Sequence, residues 1–211
     1  MGLGGCGEQQ VPGGADPGSA PTSTSAPAPV DELPPGWDES PDGPPPEPDD
    51  ALDDDELRAL LRTRASAAAT PAHCRADDVQ GSLVGSDAAA GHRYSTIVLT
   101  NVSGRGCVVE GMPGIGVRGT WGQAFRVDVS PVTGAAKGEP VTIGPRESAS
   151  APLEWSGALA GAEQERASIL VVQLAKDQAP LRVPAAVTGS ADQVDIGMES
   201  AVGIGPFERA H

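Results

Sequence analysis

Residues 71–211 of this 211-residue chain are predicted to adopt an all-β fold, and three observations lead to that prediction. Runs of alternating apolar and polar residues recur, most clearly at 92–101 and 148–156. Glycine- and proline-rich turn signals separate these runs, as in antiparallel sheets. A longer apolar run at 167–175 suits a central strand. Together they indicate an immunoglobulin-like β-sandwich of about seven to nine strands.

The first six residues resemble the end of a bacterial lipoprotein signal. Residues 3–6 read Leu-Gly-Gly-Cys, which is similar to the lipobox, where the cysteine is acylated and becomes the first mature residue. A signal peptide also needs a basic region and an apolar region, so we infer that these lie upstream. Cys6 is therefore the expected lipidation site, and residues 1–6 the end of the signal. The alternative is a chance cysteine in a glycine-rich start.

The next segment is acidic and rich in proline. Residues 1–57 hold 14 Asp and Glu and no Lys or Arg, whereas residues 58–211 hold 14 basic and 15 acidic residues. Such a segment buries too little apolar surface to offset its conformational entropy, so residues 7–50 are predicted to be a disordered acidic tether. A second interpretation is an acidic tail with its own partner, anchored by Trp37. The nearly neutral remainder shows no basic patch, and we expect no nucleic-acid binding.

Residues 51–70 are predicted to form a short amphipathic helix. Aspartates crowd its first turns and arginines follow, an order that suits the helix dipole. Pro71 is expected to end the helix. We consider docking on the next domain, a partner-binding helix and a simple stalk as its roles. Its apolar stripe consists of Leu57, Leu60, Leu61 and Ala65.

Two cysteines, Cys74 and Cys107, remain once Cys6 is assigned to the lipid. Extracytoplasmic proteins mature in an oxidising space, where two leftover cysteines most simply pair. The alternative is two free buried thiols. No Cys-x-x-Cys pair supports redox chemistry.

The alternation assigns faces to the strand residues. In the run 92–101, Ile97 and Leu99 fall on one face and Tyr94 on the other. In the run 148–156 every second residue is apolar, up to Trp155. We expect both Tyr94 and Trp155 to be buried. Further strand-length runs lie at 140–145, 181–189 and 193–204.

Several of these segments resemble the actinobacterial domain of unknown function forty-two thirty-two, which occurs in secreted proteins and lipoproteins. The matching features are Cys74, "AAGHRY" at 89–94, "LTNVSGRGC" at 99–107, "GMPGIGV" at 111–117 and the strand ending at Trp155. The resemblance covers about residues 73–160 and implies a β-sandwich, an envelope location and a Cys74–Cys107 disulfide. It implies no activity, because the family has none assigned.

The sequence gives little support for a nucleotide-binding, metal-binding or glycosylation motif. Residues 114–119 fit G-x-G-x-x-G, but a turn follows where a nucleotide site needs a helix. The histidines His73, His92 and His211 are too scattered for a zinc site. The sequon at 101–103 is interpreted as a tight turn. No cofactor and no metal are expected.

We therefore expect a monomeric, non-catalytic extracellular module with a binding or structural role, which meets a cell-wall polymer or an envelope protein. It is expected to be lipid-anchored to the outer face of the cell membrane, or secreted. Trp121, in "GTWGQAF" between glycines, is the first candidate contact, and its alternative role is to plug the end of the sandwich. His92 is the second candidate contact. The alternative function is a hydrolase or metal-handling protein whose loop-built site would hold His92 beside a carboxylate.

Overall fold

The fold was taken from a computed structural model. It describes residues 45–135, 138–157, 165–190 and 193–210. The predictions made for Cys6, Trp37 and residues 7–44 fall outside the described residues.

The described residues contain eleven β-strands and one α-helix, so the predicted all-β class is confirmed. The count exceeds seven to nine because some strands have only two or three residues, too few for a periodic pattern to reveal. The helix is α1 (Asp54–Leu60), and the strands are β1 (Val79–Ala89), β2 (His92–Asn101), β3 (Cys107–Val109), β4 (Gly114–Gly119), β5 (Asp128–Pro131), β6 (Val141–Ile143), β7 (Ser148–Ser156), β8 (Ala167–Gln173), β9 (Leu181–Pro184), β10 (Ala201–Ile204) and β11 (Glu208–Arg209).

Three sheets build the domain. The large sheet has the order β1-β2-β7-β10-β5, and β11 also pairs with β7. Strands β4-β8-β9 form a second sheet, and β3-β6 a third. The described pairings between these named strands are antiparallel apart from β10 with β5. This arrangement is compatible with the predicted immunoglobulin-like sandwich.

One core lies between the large sheet and the two smaller ones. The register pairs Leu83 of β1 with Ile97 of β2, and Ile97 with Ala151 of β7. All three side chains are fully buried, so the alternation read from the sequence gives the correct inner face. Trp155 is buried as predicted.

Tyr94 is a correction, because 39% of it is exposed. It lies on the outer face of β2, opposite Glu154 of β7 and Asp87 of β1. No described element covers this part of the large sheet. The prediction of a buried Tyr94 is wrong because its position in the alternation places it on the outer face, opposite Ile97 and Leu99.

The helix is shorter than the predicted 51–70. It begins after Asp53, whose side chain accepts hydrogen bonds from the amides of Asp55 and Glu56, and it ends at Leu60. The amides of Arg62 and Thr63 then donate to the Ile115 carbonyl of β4, at 2.8 and 3.1 Å. Pairing with the edge of β4 therefore replaces the helical hydrogen bonds that a longer helix would have made.

The helix docks on the sandwich. Its Leu57 and Leu60 are buried, and with Leu52 they form a small cluster on Ile169 and Val171 of β8. Each leucine that is fully buried contributes about 1.5–3 kcal/mol. The helix covers one face of β8 and the main core covers the other, which explains the uninterrupted apolar run of this strand.

Residues 45–74, called the strap below, include α1, and the part that follows the helix runs along the edge of β4. Two glycines of β4 permit the close approach. A methyl group on Gly116 would overlap the Leu60 carbonyl, and one on Gly114 would lie 2.7 Å from the Ala65 amide nitrogen. Close packing therefore explains all three glycines of the G-x-G-x-x-G letters, Gly114 and Gly116 against the strap backbone and Gly119 against the side chains of Glu165 and Phe125.

A disulfide closes the end of the strap. Cys74 and Cys107 are bonded, with a Cα–Cα distance of 4.8 Å, and both are buried. The predicted pairing is confirmed, and the alternative of two free thiols is wrong. A bridge across 33 residues stabilises the fold by about 3 to 4 kcal/mol in the chain-entropy account.

Gly116→Ala is expected to destabilise the protein by about 1–3 kcal/mol, because the new methyl group must displace the strap backbone. Gly104→Ala is the matched control, since its methyl group would meet no atom within 4 Å. Urea unfolding of the two variants measures the difference. Equal midpoints would show that the strap is not held by this contact.

Candidate functional site

Trp121 lies in a tight turn that follows β4. The Gly122 amide donates to the Gly119 carbonyl at 2.9 Å, and Gly122 adopts a positive φ of 87°. Such a backbone favours glycine. The indole of Trp121 is 57% exposed, so it does not plug the core. The turn presents a large aromatic side chain to solvent on a short, closed backbone loop.

Two buried charged residues hold this turn in place. One Glu165 carboxylate oxygen accepts the Trp121 amide at 2.6 Å, and the other accepts the Gln123 side-chain amide. The Arg118 Nε donates to the Gly122 carbonyl at 3.2 Å. Glu165 and Arg118 are 6% and 5% exposed, so these hydrogen bonds are shielded from water. The backbone under Trp121 is therefore organised before any ligand arrives.

The strap supplies the opposite wall of the site. Arg118 donates through Nη2 to the Glu47 carbonyl at 2.8 Å and pairs through Nη1 with the Asp49 carboxylate. Arg182 of β9 donates to the carbonyls of Asp49, at 2.7 Å, and Leu52. Two arginines of the sandwich thus fasten the strap by its backbone.

This docking corrects the predicted extent of the tether. Residues 45–50 were assigned to a disordered segment 7–50, yet Asp49 is bound by Arg118 and only partly exposed. Composition marked these residues as polar and acidic, but the buried arginines that bind them come from strands far along the chain. The sequence carried no local signal of that partnership.

A groove of about 420 Å³ lies between the Trp121 turn and the strap. It is called the Trp121 groove. The strap lines it with apolar residues and two carboxylates, and the other wall contributes Arg118 and the Trp121 turn. The lining residues are Pro46, Glu47, Leu52, Glu56, Ala59, Leu60, Arg118, Trp121 and Gly122.

His92, the second candidate contact, lies elsewhere. It is the first residue of β2, exposed on the large sheet, with its ring centroid 6.4 Å from that of Tyr94. Among the described residues no ring contact or hydrogen bond joins it to Trp121. Trp121 and His92 therefore do not form one site, and the contact role of each stays a prediction.

Asn101 of the sequon 101–103 has a structural role. Its side-chain amide is fully buried and donates to the carbonyls of Arg105 and Ile143, at 2.8 and 3.0 Å. Its Oδ1 accepts the Ser103 amide at 2.9 Å. The amide nitrogen that a glycan would need is therefore occupied, and the tight turn expected from the sequence is present.

His73, one of the three histidines that are too scattered for a zinc site, is buried. Its Nδ1 accepts a hydrogen bond from the Thr70 amide at 3.0 Å, and its Nε2 lies 3.7 Å from a Glu110 carboxylate oxygen. These contacts brace the strap beside the disulfide. In the described part of the chain no group of three or more His, Cys, Asp or Glu is placed to hold a metal ion.

The described residues include no helix that is long and apolar enough to span a bilayer.

Comparison with known families identifies the domain. A family profile described as "Domain of unknown function (DUF4232)" matches residues 74–202. The chain belongs to this family. No curated protein and no solved structure gave a significant match. The family resemblance read from the sequence is confirmed, and it carries no activity with it.

The DUF4232 match also divides the Trp121 groove. It begins at Cys74, so Arg118, Trp121 and Glu165 lie within the DUF4232 domain. The strap lies almost entirely before it. One wall of the groove therefore comes from the family domain, and the other comes from the segment that precedes it in this chain.

Asp49→Asn is expected to lower the free energy of unfolding by about 1–3 kcal/mol, because it leaves the buried Arg118 guanidinium without a counterion. Asp50→Asn removes the same charge from an exposed neighbour and serves as the control. Urea denaturation and proteolysis of the strap measure both effects. If both variants match the wild type, the ion pair does not hold the groove together.

Proposed function

We propose that the protein is a cell-envelope lipoprotein whose DUF4232 domain is a non-catalytic binding module at the outer face of the membrane. The Trp121 groove is its contact surface. The observation that carries the proposal is an indole that is 57% exposed on a turn held by buried Glu165 and Arg118. An exposed aromatic side chain on a rigid backbone binds partners at a low entropic cost.

The disulfide supports the location. Disulfides persist in oxidising compartments and are rare in the cytosol. The Cys74–Cys107 bond joins the end of the strap to β3 inside the core. A protein that depends on such a bond is suited to an extracytoplasmic site.

The two buried charged residues beside the groove, Arg118 and Glu165, serve the fold and not catalysis. Arg118 uses its guanidinium on three backbone or side-chain acceptors, Gly122, Glu47 and Asp49. Glu165 uses both carboxylate oxygens on the Trp121 turn. A general acid or base must be able to reach a substrate atom, and these two groups are committed to the fold. The side chains that face the groove from the turn and strap are suited to contact.

Cys6 supplies the membrane anchor in this proposal. In the lipobox pattern of residues 3–6, acylation of Cys6 places lipid ahead of the acidic segment and the domain. Anionic side chains in that segment hold the chain off an anionic membrane surface. The domain would then meet its partner away from the bilayer.

Cys6→Ser, in protein expressed from its native gene, is expected to move the protein from the membrane fraction to the soluble fraction. Glu8→Gln is the control and should stay with the membrane. Intact-mass analysis of the wild type should show a mature N-terminal cysteine carrying acyl chains. An unmodified Cys6 in the membrane-fraction protein would refute the anchor.

A photo-crosslinking side chain placed at Trp121 is expected to give discrete adducts in intact cells, because the indole faces the partner. The same side chain at Tyr94, which is also exposed but on the large sheet, should not give them. Gel mobility of the protein after irradiation reads out both. The same adducts from both positions, or none from position 121, would contradict the contact surface.

A further inference from the structure

We propose that the Trp121 groove binds a basic side chain, a guanidinium or an ammonium group, presented by an extended segment of a partner protein. This inference rests on the proposed function and names the chemistry of its ligand. The groove combines an aromatic face, an apolar floor and unneutralised carboxylates, which are the groups that recognise an organic cation.

The groove has no free positive charge of its own. Arg118 is the basic residue among those that line it, and its guanidinium is 6% exposed and paired with Asp49. An anionic ligand would therefore find no available donor with a charge. The groove does not have the chemistry of a phosphate or carboxylate site.

Two carboxylates that line the groove, those of Glu47 and Glu56, have oxygen atoms free to bind a ligand. Within the described part of the chain, Glu47 is exposed and no ion pair or side-chain hydrogen bond engages its carboxylate. Glu56 uses one oxygen, Oε2, to accept the Asp53 amide at 2.7 Å. Its other oxygen is left for a ligand. A cation held at the Trp121 face would lie beside negative charge on the strap side.

The floor suits the stem of a long basic side chain. Leu52 and Leu60 are nearly buried, and with Ala59 they line the groove beside Trp121. Lysine and arginine bury their methylene stems along apolar surface while keeping the charged head in a polar setting. A cation over an indole gains about 0.5–2 kcal/mol, more when it is partly desolvated.

The surrounding charge selects the same class of partner. Residues 45–56 contain seven Asp and Glu and no Lys or Arg. Of these, Asp49 pairs with Arg118, and Asp54 and Asp55 pair with Arg58, which leaves four without an ion pair among the described residues. Asp50 beside the groove is exposed. A basic segment would be attracted and steered by this field, with a dependence on salt. A neutral glycan could stack on the indole and donate hydroxyl hydrogen bonds to the carboxylates, but it carries no charge for this field to attract, so charge complementarity favours a basic peptide.

Fluorescence anisotropy of the full chain with two labelled octapeptides tests the proposal. One peptide alternates glycine with arginine, and the other replaces each arginine with citrulline, which keeps the shape and removes the charge. We expect Trp121→Ala to weaken binding of the arginine peptide by about 3- to 30-fold. Glu47→Gln should weaken it by about 2- to 5-fold, and the citrulline peptide should bind the wild type more weakly.

Two matched controls separate the groove from the general acidity of the chain. Tyr94→Ala removes an exposed aromatic residue and Asp87→Asn an exposed carboxylate, both on the large sheet. Each should leave binding of the arginine peptide within about twofold of the wild type, because neither lines the groove. Trp121→Phe should retain part of the affinity, since phenylalanine also offers an aromatic face. Circular dichroism checks that each variant is folded.

Three results would overturn the inference. The arginine peptide could bind Trp121→Ala as tightly as the wild type, which would assign binding to acidic charge alone. The citrulline peptide could bind as well as the arginine peptide. Chitohexaose could bind in a Trp121-dependent way while the arginine peptide does not, making a glycan the ligand. In each case crosslinking from position 121 in cells would still decide the proposed function separately.

Discussion

The close approach of the strap to the edge of β4 is the contact on which the rest of the structure depends. It requires bare backbone at Gly114 and Gly116, because a methyl group at either would strike the strap. Once the strap lies there, its amides bond to Ile115, its leucines cover β8, and Cys74 reaches Cys107. The space that these two glycines leave thus permits the hydrogen bonds to β4, the burial of the strap leucines and the disulfide.

Two buried charged residues, Arg118 and Glu165, then hold the Trp121 turn beside the strap. Arg118 points away from solvent and binds the strap on one side and the Trp121 turn on the other. Glu165 binds the same turn from below through both oxygens. Breaking one partner of a buried pair costs much more than the pair contributes to stability. The turn and the strap are therefore held in one geometry, and the indole between them is presented to solvent.

The strands were predictable because a half-buried strand shows its face in every second residue. That pattern located β2 and β7 to the residue and gave their inner faces. The same pattern could not show that the outer face near Tyr94 lacks a covering layer, so the burial predicted for this tyrosine was wrong. The helix was predicted in the right region but too long. The helical spacing of apolar residues continues past Leu60, but beyond that residue the strap amides bond to Ile115 of β4 and not within the helix.

Composition, alternation and cysteine number were enough to predict an all-β domain and its disulfide, and the motifs at 89–94, 99–107 and 111–117 indicated its family. These properties depend on residues near one another in the chain or on counts of residues. The tertiary structure alone decided that residues 45–50 belong to the folded unit and that they form a wall of the Trp121 groove. The reason is physical: the partners of Asp49 are arginines of β4 and β9, 69 and 133 residues away, and no local pattern carries information about a contact over that separation.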